Sequence, residues 1–191
     1  MFDNVEVTET ERTESRRGDD LVVAADVVMD RGFSVTGTPE DVWPWIVQLG
    51  KWRAGWYLSR RIERIIPSGR RATRRIDARY QKLSVGDVIP DYGGRRATFT
   101  VAEIQAPHIL VYRPIRHAMA VTWSITLQAV DSPSGGNGPP QTRVLLRLRM
   151  GPIKRVWLVK SAGELIDLLT IAALAVGLRE RLAAAMEYTP S

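Results

Sequence analysis

The densest run of apolar residues in the chain lies between residues 161 and 186 and has no polar side. The spacing of Ser161 and Glu164 at its start is that of a capping box. The apolar positions that follow are Leu165, Ile166, Leu168, Leu169, Ile171, Ala172, Ala173, Leu174, Ala175, Val176 and Leu178. A helix that is apolar on every side must be surrounded by protein or by membrane. Because Asp167 interrupts the run and arginines end it, the run falls short of the ~20 apolar residues of a span. We therefore expect a long helix held in a concave surface.

Two stretches of the second half alternate between apolar and polar residues, which is typical of half-buried strands. One shared face carries Met119, Val121, Trp123, Ile125 and Leu127, and another carries Val144, Leu146, Leu148 and Met150. Arginines stand between the latter, so the pattern predicts an antiparallel sheet with one solvated face. Strands are expected at residues 31–37, 97–104, 108–113, 118–130 and 142–150, with a flexible loop at 131–140.

Two short helices are predicted in the first half of the chain. Thr38 suits the N-cap and Pro39 the first helical position, and two acids follow them, which predicts a helix over residues 39–50. A second helix is expected over residues 58–66. Helices, then antiparallel strands, then a long last helix indicate an α+β domain. The apolar sheet face needs a cover and the last helix needs a groove, so we expect each to bury the other.

Composition narrows the class of protein. The 191 residues, 45% of them hydrophobic, suit one domain, which we place at residues 21–189 after a mobile polar tail at 1–20. The absence of cysteine excludes disulfides and thiolate catalysis. Two histidines, His108 and His117, offer little for a metal centre, and we predict no metal site and no cofactor. The first residues have no signal-peptide pattern, so the cytoplasm is the expected location.

Charge is unevenly distributed along the chain. The net charge is +6, and residues 51–82 carry eleven basic side chains against only Glu63 and Asp77. Such a surface can associate weakly with an acidic partner or an anionic membrane. The alternative, which we favour at this point, is a solvated surface without a partner. No nucleic acid is expected, because no nucleic-acid-binding motif accompanies the basic residues. The oligomeric state is not predicted.

An ordered set of motifs resembles the START-like or Bet v 1-like superfamily, also called SRPBCC or polyketide cyclase/dehydrase-like proteins. The matching stretches are 38–50 (TPEDVWPWIVQLG), 53–57 (RAGWY), 83–87 (LSVGD), the strand with Thr122 and Trp123, and 142–146 (TRVLL). The resemblance implies a helix-grip fold, in which a curved antiparallel sheet of about seven strands wraps around a long C-terminal helix, with two short helices after the first strand. It also implies an elongated cavity for an apolar or amphipathic small molecule. Some members of this superfamily bind or carry ligands, and others are enzymes.

Large flat side chains and isolated acids are the candidates for the wall of such a cavity. The predicted ligand-binding residues are Trp43, Trp56, Tyr57, Glu63, Phe99, Trp123, Leu146, Asp167, Leu168 and Ala172. Core packing is the alternative that we favour for Trp43 and Trp123, an outward position for Glu63, and a solvent-exposed edge for Asp167.

The expected function is non-catalytic binding of an apolar molecule, as a carrier or sensor. The alternative is a cyclase- or aromatase-like enzyme in which Glu63, Asp167 or Tyr57 moves protons. A second alternative is an interaction module that uses the basic face at residues 51–82. We predict no catalytic residue, because the sequence lacks nucleophile elbows, P-loops and dinucleotide-binding motifs.

Overall fold

The computed structural model describes residues 5–92, 97–116, 119–131, 138–153 and 156–187. The elements in chain order are α1 (Glu9–Thr13), β1 (Val27–Thr36), α2 (Pro39–Gln48), α3 (Arg60–Glu63), β2 (Val88–Pro90), β3 (Thr98–Gln105), β4 (Ile109–Arg116), β5 (Met119–Val130), β6 (Gln141–Gly151), α4 (Val156–Leu158) and α5 (Glu164–Glu187). His117, the predicted strand start at Ala118 and residues 132–137 of the predicted loop lie outside the described residues.

The described strands form one antiparallel sheet in the order β1-β6-β5-β4-β3-β2. The α+β class is confirmed, and the curved sheet with α5 across it fits a helix-grip arrangement. The expectation of about seven strands is wrong for the described part of the chain, which has six. Between α3 and β2 the chain forms short helical turns at Ser68–Arg70 and Ala78–Tyr80. Arginine side chains satisfy backbone carbonyls there; Arg53, for example, donates to Val47 O and Tyr80 O.

The inner face of the sheet is apolar, as the alternation predicts. The register pairs Trp123 with Leu148 and Ile125 with Leu146, so both rows of inward side chains meet beneath α5. The outer face is not simply solvated, because the side chain of Arg147 on β6 is only 4% exposed. Arg147 donates to Asp30 Oδ1 at 2.7 Å and to Asp19 Oδ2 at 2.8 Å.

Residues 5–20 differ from the predicted mobile tail, because they lie against the outer face and the free edge of the sheet. The Gly32 amide of the edge strand β1 donates to Val5 O at 2.9 Å. Val5 itself is buried. Arg143 on β6 donates to both carboxylate oxygens of Glu11 at 2.8 and 2.9 Å. The acids of this segment therefore form ion pairs with arginines of the sheet, whose buried or half-buried charges require partners.

Helix α2 begins as predicted. Thr38 and Asp41 form a reciprocal capping box, in which each side chain accepts a hydrogen bond from the backbone amide of the other. Helix α5 begins differently. Its predicted capping box is not formed, because Ser161 lies in a wide helical turn, Val159–Gly163, where its hydroxyl donates to Trp157 O at 2.7 Å.

Helix α5 packs closely against the rest of the protein between Ile171 and Leu182. Ile171, Leu174 and Leu178 are buried, whereas Leu165 and Ile166 in the first turn of the helix are more than half exposed. By length and composition, Ser161–Glu187 is sufficient to cross a membrane, which differs from the expectation that the run is too short. Core helices of soluble proteins can be equally long and apolar, but they are mostly buried. Here only 33% of the most apolar stretch of the helix is buried. The first two turns of α5 thus leave space between the helix and the sheet.

Candidate ligand-binding cavity

A cavity of about 610 Å³ lies between the concave face of the sheet and the first half of α5. Its floor consists of inward-facing residues on neighbouring strands, since Met29 pairs with Leu148, Leu148 with Trp123, and Trp123 with Tyr112. Its roof comes from Val159 to Ile171 around the start of α5. The remaining apolar lining residues are Leu49, Trp56, Ile89, Phe99, Pro114, Met119, Val121 and Met150. The wall is almost wholly apolar, which suits an apolar molecule.

Four aromatic rings form one side of the cavity. Trp123 stacks on Tyr112 and on Trp56, with ring centroids 5.7 and 6.1 Å apart. Phe99 lies 5.7 Å from Trp123 and 5.4 Å from Tyr112. The indole of Trp56 also donates to Thr170 O on α5 at 3.3 Å. The cluster therefore joins the sheet to the helix and contributes aromatic rings to the cavity wall. Each aromatic pair stabilises the fold by about 0.5–1.5 kcal/mol beyond the effect of its buried area.

Asp167 places a carboxylate in the helical wall of this cavity. Its Oδ2 lies 3.0 Å from Arg31 Nε on β1, and neither atom has an aligned hydrogen bond within the described part of the chain. Burial raises the pKa of Asp167, and the positive charge of Arg31 opposes that shift. Asp167 was expected at a solvent-exposed edge, but in the structure its side chain is only 18% exposed. The pair can hold a polar group of a bound molecule at this end.

A second polar group lines the cavity near β2. Lys51 lines the cavity and donates from Nζ to Asp91 O at 3.3 Å. Tyr92 lies beside them at the rim. Polar groups thus stand at two ends of an apolar volume, which is an arrangement suited to an amphipathic molecule.

The structure brings four of the ten predicted ligand-binding residues together in the cavity wall: Trp56, Phe99, Trp123 and Asp167. The other six lie elsewhere: Trp43, Tyr57, Glu63, Leu146, Leu168 and Ala172. Leu146 and Ala172 are buried in the hydrophobic core, and Trp43 packs partly buried against that core. Leu168 does not line the cavity and is 37% exposed.

Tyr57 and Glu63 are buried, but neither side chain lines the cavity. The Tyr57 hydroxyl donates to Trp45 O at 2.8 Å, and burial raises its pKa. Glu63 does not point outward as favoured from the sequence, because it accepts hydrogen bonds from Arg181 at 2.6 Å and Arg74 at 2.7 Å. Both groups have structural partners, which leaves Asp167 as the one predicted proton-transfer candidate in the cavity wall.

Several lining residues were not predicted as ligand-binding, above all Met29, Tyr112, Val121, Leu148 and Met150. The strand alternation already assigned Val121, Leu148 and Met150 to the apolar face. What it could not show was which inward positions remain uncovered by α5. Among the described residues, no group of three or more His, Cys, Asp or Glu side chains could hold a metal ion.

Comparison with known proteins identifies a shared fold. No family model matches the chain, and no curated protein matches it. The structure is similar to that of the hypothetical protein jhp0584 from Helicobacter pylori, with a TM-score of 0.54, 13% identity, and coverage of 88% of this chain and 95% of that one. Protein Ms6760 from Mycobacterium smegmatis matches with a TM-score of 0.49, 13% identity, and coverage of 91% and 98%. The Aha1 dimer from Colwellia psychrerythraea matches with a TM-score of 0.45, 12% identity, and coverage of 81% and 98%.

Proposed function

We propose that this chain is a START-like protein that binds one small apolar or amphipathic molecule between the sheet and the first half of α5, as a cytoplasmic carrier or sensor. The observation that carries the proposal is the cavity of about 610 Å³. Its volume lies within the roughly 300–1,000 Å³ of small-molecule sites. An interior filled by side chains would have left no room for a ligand.

The chemistry of the wall supports the same class of ligand. The rings of Trp56, Tyr112 and Trp123 offer a broad apolar surface, and burying a ligand against it is favoured by about 25 cal/mol for each Å² removed from water. Asp167 with Arg31 at one end and Lys51 at the other offer polar contacts. A mainly apolar molecule with a polar end satisfies both parts of the wall.

A second candidate function is a cyclase- or aromatase-like enzyme, which Asp167 favours. Its carboxyl group lines the cavity, and burial raises its pKa toward the range that suits proton transfer near neutral pH. The two functions differ in what happens to the bound molecule. A carrier releases the molecule unchanged, whereas an enzyme changes it, and Asp167→Asn would then abolish the change while retaining binding.

Mass spectrometry of the purified full chain tests the proposal. Native spectra are expected to show one additional small molecule per chain, and organic extraction is expected to release an apolar compound. If the protein is purified empty, phenylnaphthylamine, a neutral apolar dye, is expected to bind at one site per chain. An empty protein that also binds no dye would contradict the proposal. Comparing the masses of the compound before and after prolonged incubation distinguishes a carrier from an enzyme.

A further inference from the structure

Residues 60–70 present positive charge to solvent without acidic partners. Among the described residues, no carboxylate pairs with the side chains of Arg60, Arg61, Arg64 or Arg70, and all four are exposed. Other arginines of the basic segment are engaged: Arg74 pairs with Glu63 and Glu180. Arg79 is exposed but pairs with Asp77, so exposure alone does not distinguish the two sets. We call Arg60, Arg61, Arg64 and Arg70, which are exposed and have no acidic partner among the described residues, the outward arginines.

Contacts with the protein interior fix the backbone that carries the outward arginines. Glu63, the acid of α3, points inward and is bound by Arg181 and Arg74. This contact turns the opposite side of the short helix toward solvent. The following turn is closed by Arg71, which donates to Ile66 O at 2.8 Å and to Arg64 O at 3.3 Å. The surface is therefore preorganised and does not depend on a flexible loop.

Two isoleucines lie among these arginines. Ile65 is 85% exposed and Ile62 is 40% exposed. Ile65 stands four residues after Arg61, and the helical hydrogen bonding continues here, since the Ile65 amide donates to Ile62 O at 3.2 Å. Residues at this spacing are neighbours on a helix surface. An apolar side chain so fully exposed, beside arginines, suits a partner that is anionic at its surface and apolar just beneath it.

We propose that the α3 basic face, formed by Arg60, Arg61, Ile62, Arg64, Ile65 and Arg70, docks on an anionic lipid bilayer. The arginines contact lipid phosphates, while Ile65 enters the boundary between headgroups and acyl chains. Nucleic acid fits this face less well. Residues 60–71 contain no aromatic side chain on which bases could stack, and an exposed isoleucine gains nothing along a phosphate backbone.

Sedimentation of the full chain with lipid vesicles tests this inference. Binding is expected to vesicles of phosphatidylcholine with about 30% phosphatidylserine, and not to pure phosphatidylcholine, because the anionic surface attracts the arginines. Binding is expected to weaken strongly in about 0.5 M NaCl, which screens charges over a few Å. Equal binding to both vesicle types, or binding that survives high salt, would overturn the proposal.

Matched single substitutions distinguish binding through this face from binding through the protein's overall charge or hydrophobicity. Arg64→Gln is expected to weaken vesicle binding about fivefold. Arg113→Gln removes the same charge from an exposed site on β4 and is expected to have little effect. Ile65→Ser is expected to weaken binding about tenfold, because the side chain no longer enters the apolar boundary. Val23→Ser, at a site 77% exposed, is its control.

Two outcomes of these substitutions would overturn the proposal. Equal losses from each variant and its control would show that the face is not specific. The second outcome has two parts: Ile65→Ser binds vesicles as tightly as the natural chain does, and the natural chain binds a short DNA duplex as tightly as it binds vesicles. In that case the face is a general polyanion site. Neither result depends on the cavity, so the proposed ligand binding stands or fails separately.

Discussion

Arg181 Nη2 lies 2.6 Å from Glu63 Oε1, and this contact joins the last helix to a helix 118 residues earlier in the chain. The Arg181 side chain is fully buried, and its guanidinium also stacks over Tyr57, 4.4 Å from the ring centroid. Its Nε donates to Thr73 O at 2.8 Å. A buried charge of this kind is tolerated because every side of it has a partner.

Glu63→Gln is expected to lower the free energy of unfolding by about 3–5 kcal/mol, because Arg181 is left buried without its counter-charge. Urea denaturation followed by far-UV circular dichroism measures the loss. Glu9→Gln removes an exposed ion pair with Arg12 and is expected to change stability by less than about 0.5 kcal/mol. Equal effects of the two substitutions would show that the buried pair does not hold α3 to α5.

Gly177→Ala is expected to destabilise the protein by about 1–3 kcal/mol, although alanine is the better helix former. A Cβ at Gly177 would lie 2.6 Å from Leu58 N and from Tyr57 C, and backbone atoms cannot move aside as a flexible side chain can. Gly69→Ala is the control, since nothing lies within 4 Å of its Cβ. A stabilised Gly177→Ala protein in thermal denaturation would contradict this close approach.

Val121→Trp is expected to fill much of the cavity from its floor and to weaken phenylnaphthylamine binding at least about tenfold. Dye fluorescence measures the affinity, and circular dichroism verifies that the variant is folded. Val23→Trp adds the same ring at an exposed site and is expected to leave binding unchanged. Unchanged binding by a folded Val121→Trp protein would place the dye outside this cavity.

Acid is expected to weaken the attachment of the N-terminal segment through Glu11. The hydrogen bonds from Arg143 lower the pKa of Glu11 from 4.5 to about 2. Because the folded-state pKa is the lower one, this contact stabilises the protein above about pH 4.5 and is lost as the pH falls toward 2. Urea midpoints measured across this interval are expected to fall less steeply for Glu11→Gln than for the natural chain.

Arg143→Gln is the matched test of that cause. It is expected to reduce the acid dependence of stability as Glu11→Gln does, and the double variant is expected to show no further reduction. A full acid dependence in either single variant would assign the effect to other carboxylates.

Local patterns in the sequence predicted the elements that depend on neighbouring residues. Thr38 and Asp41 cap α2 as expected because both groups lie within one turn. The alternation around Trp123 and Leu148 predicted the inner face, since successive side chains of a strand point to opposite sides. The length and all-round apolarity of the last helix predicted its burial, which the residues between Ile171 and Leu182 confirm.

Contacts between distant residues were not predictable in this way. Arg143 and Glu11 are 132 residues apart, and nothing near either residue shows that an acidic segment covers the basic outer face. The inward position of Glu63, which leaves the outward arginines without this acid as a partner, also depends on Arg181, which belongs to the last helix.

Patterns along the chain are sufficient to predict the class of fold, the apolar face of the sheet and the aromatic character of the candidate site. Packing between distant elements determines that Trp123 and Asp167 line a cavity while Leu146 and Ala172 lie in a filled core. Trp123 and Leu146 share the inward face of the sheet, and the last helix is apolar on every side, so periodicity does not distinguish the lining residues from the core residues. The difference depends on how closely α5 approaches the rest of the protein. The approach is close at Gly177 but not at the start of the helix. The position of α5 results from packing between elements that are far apart in the chain.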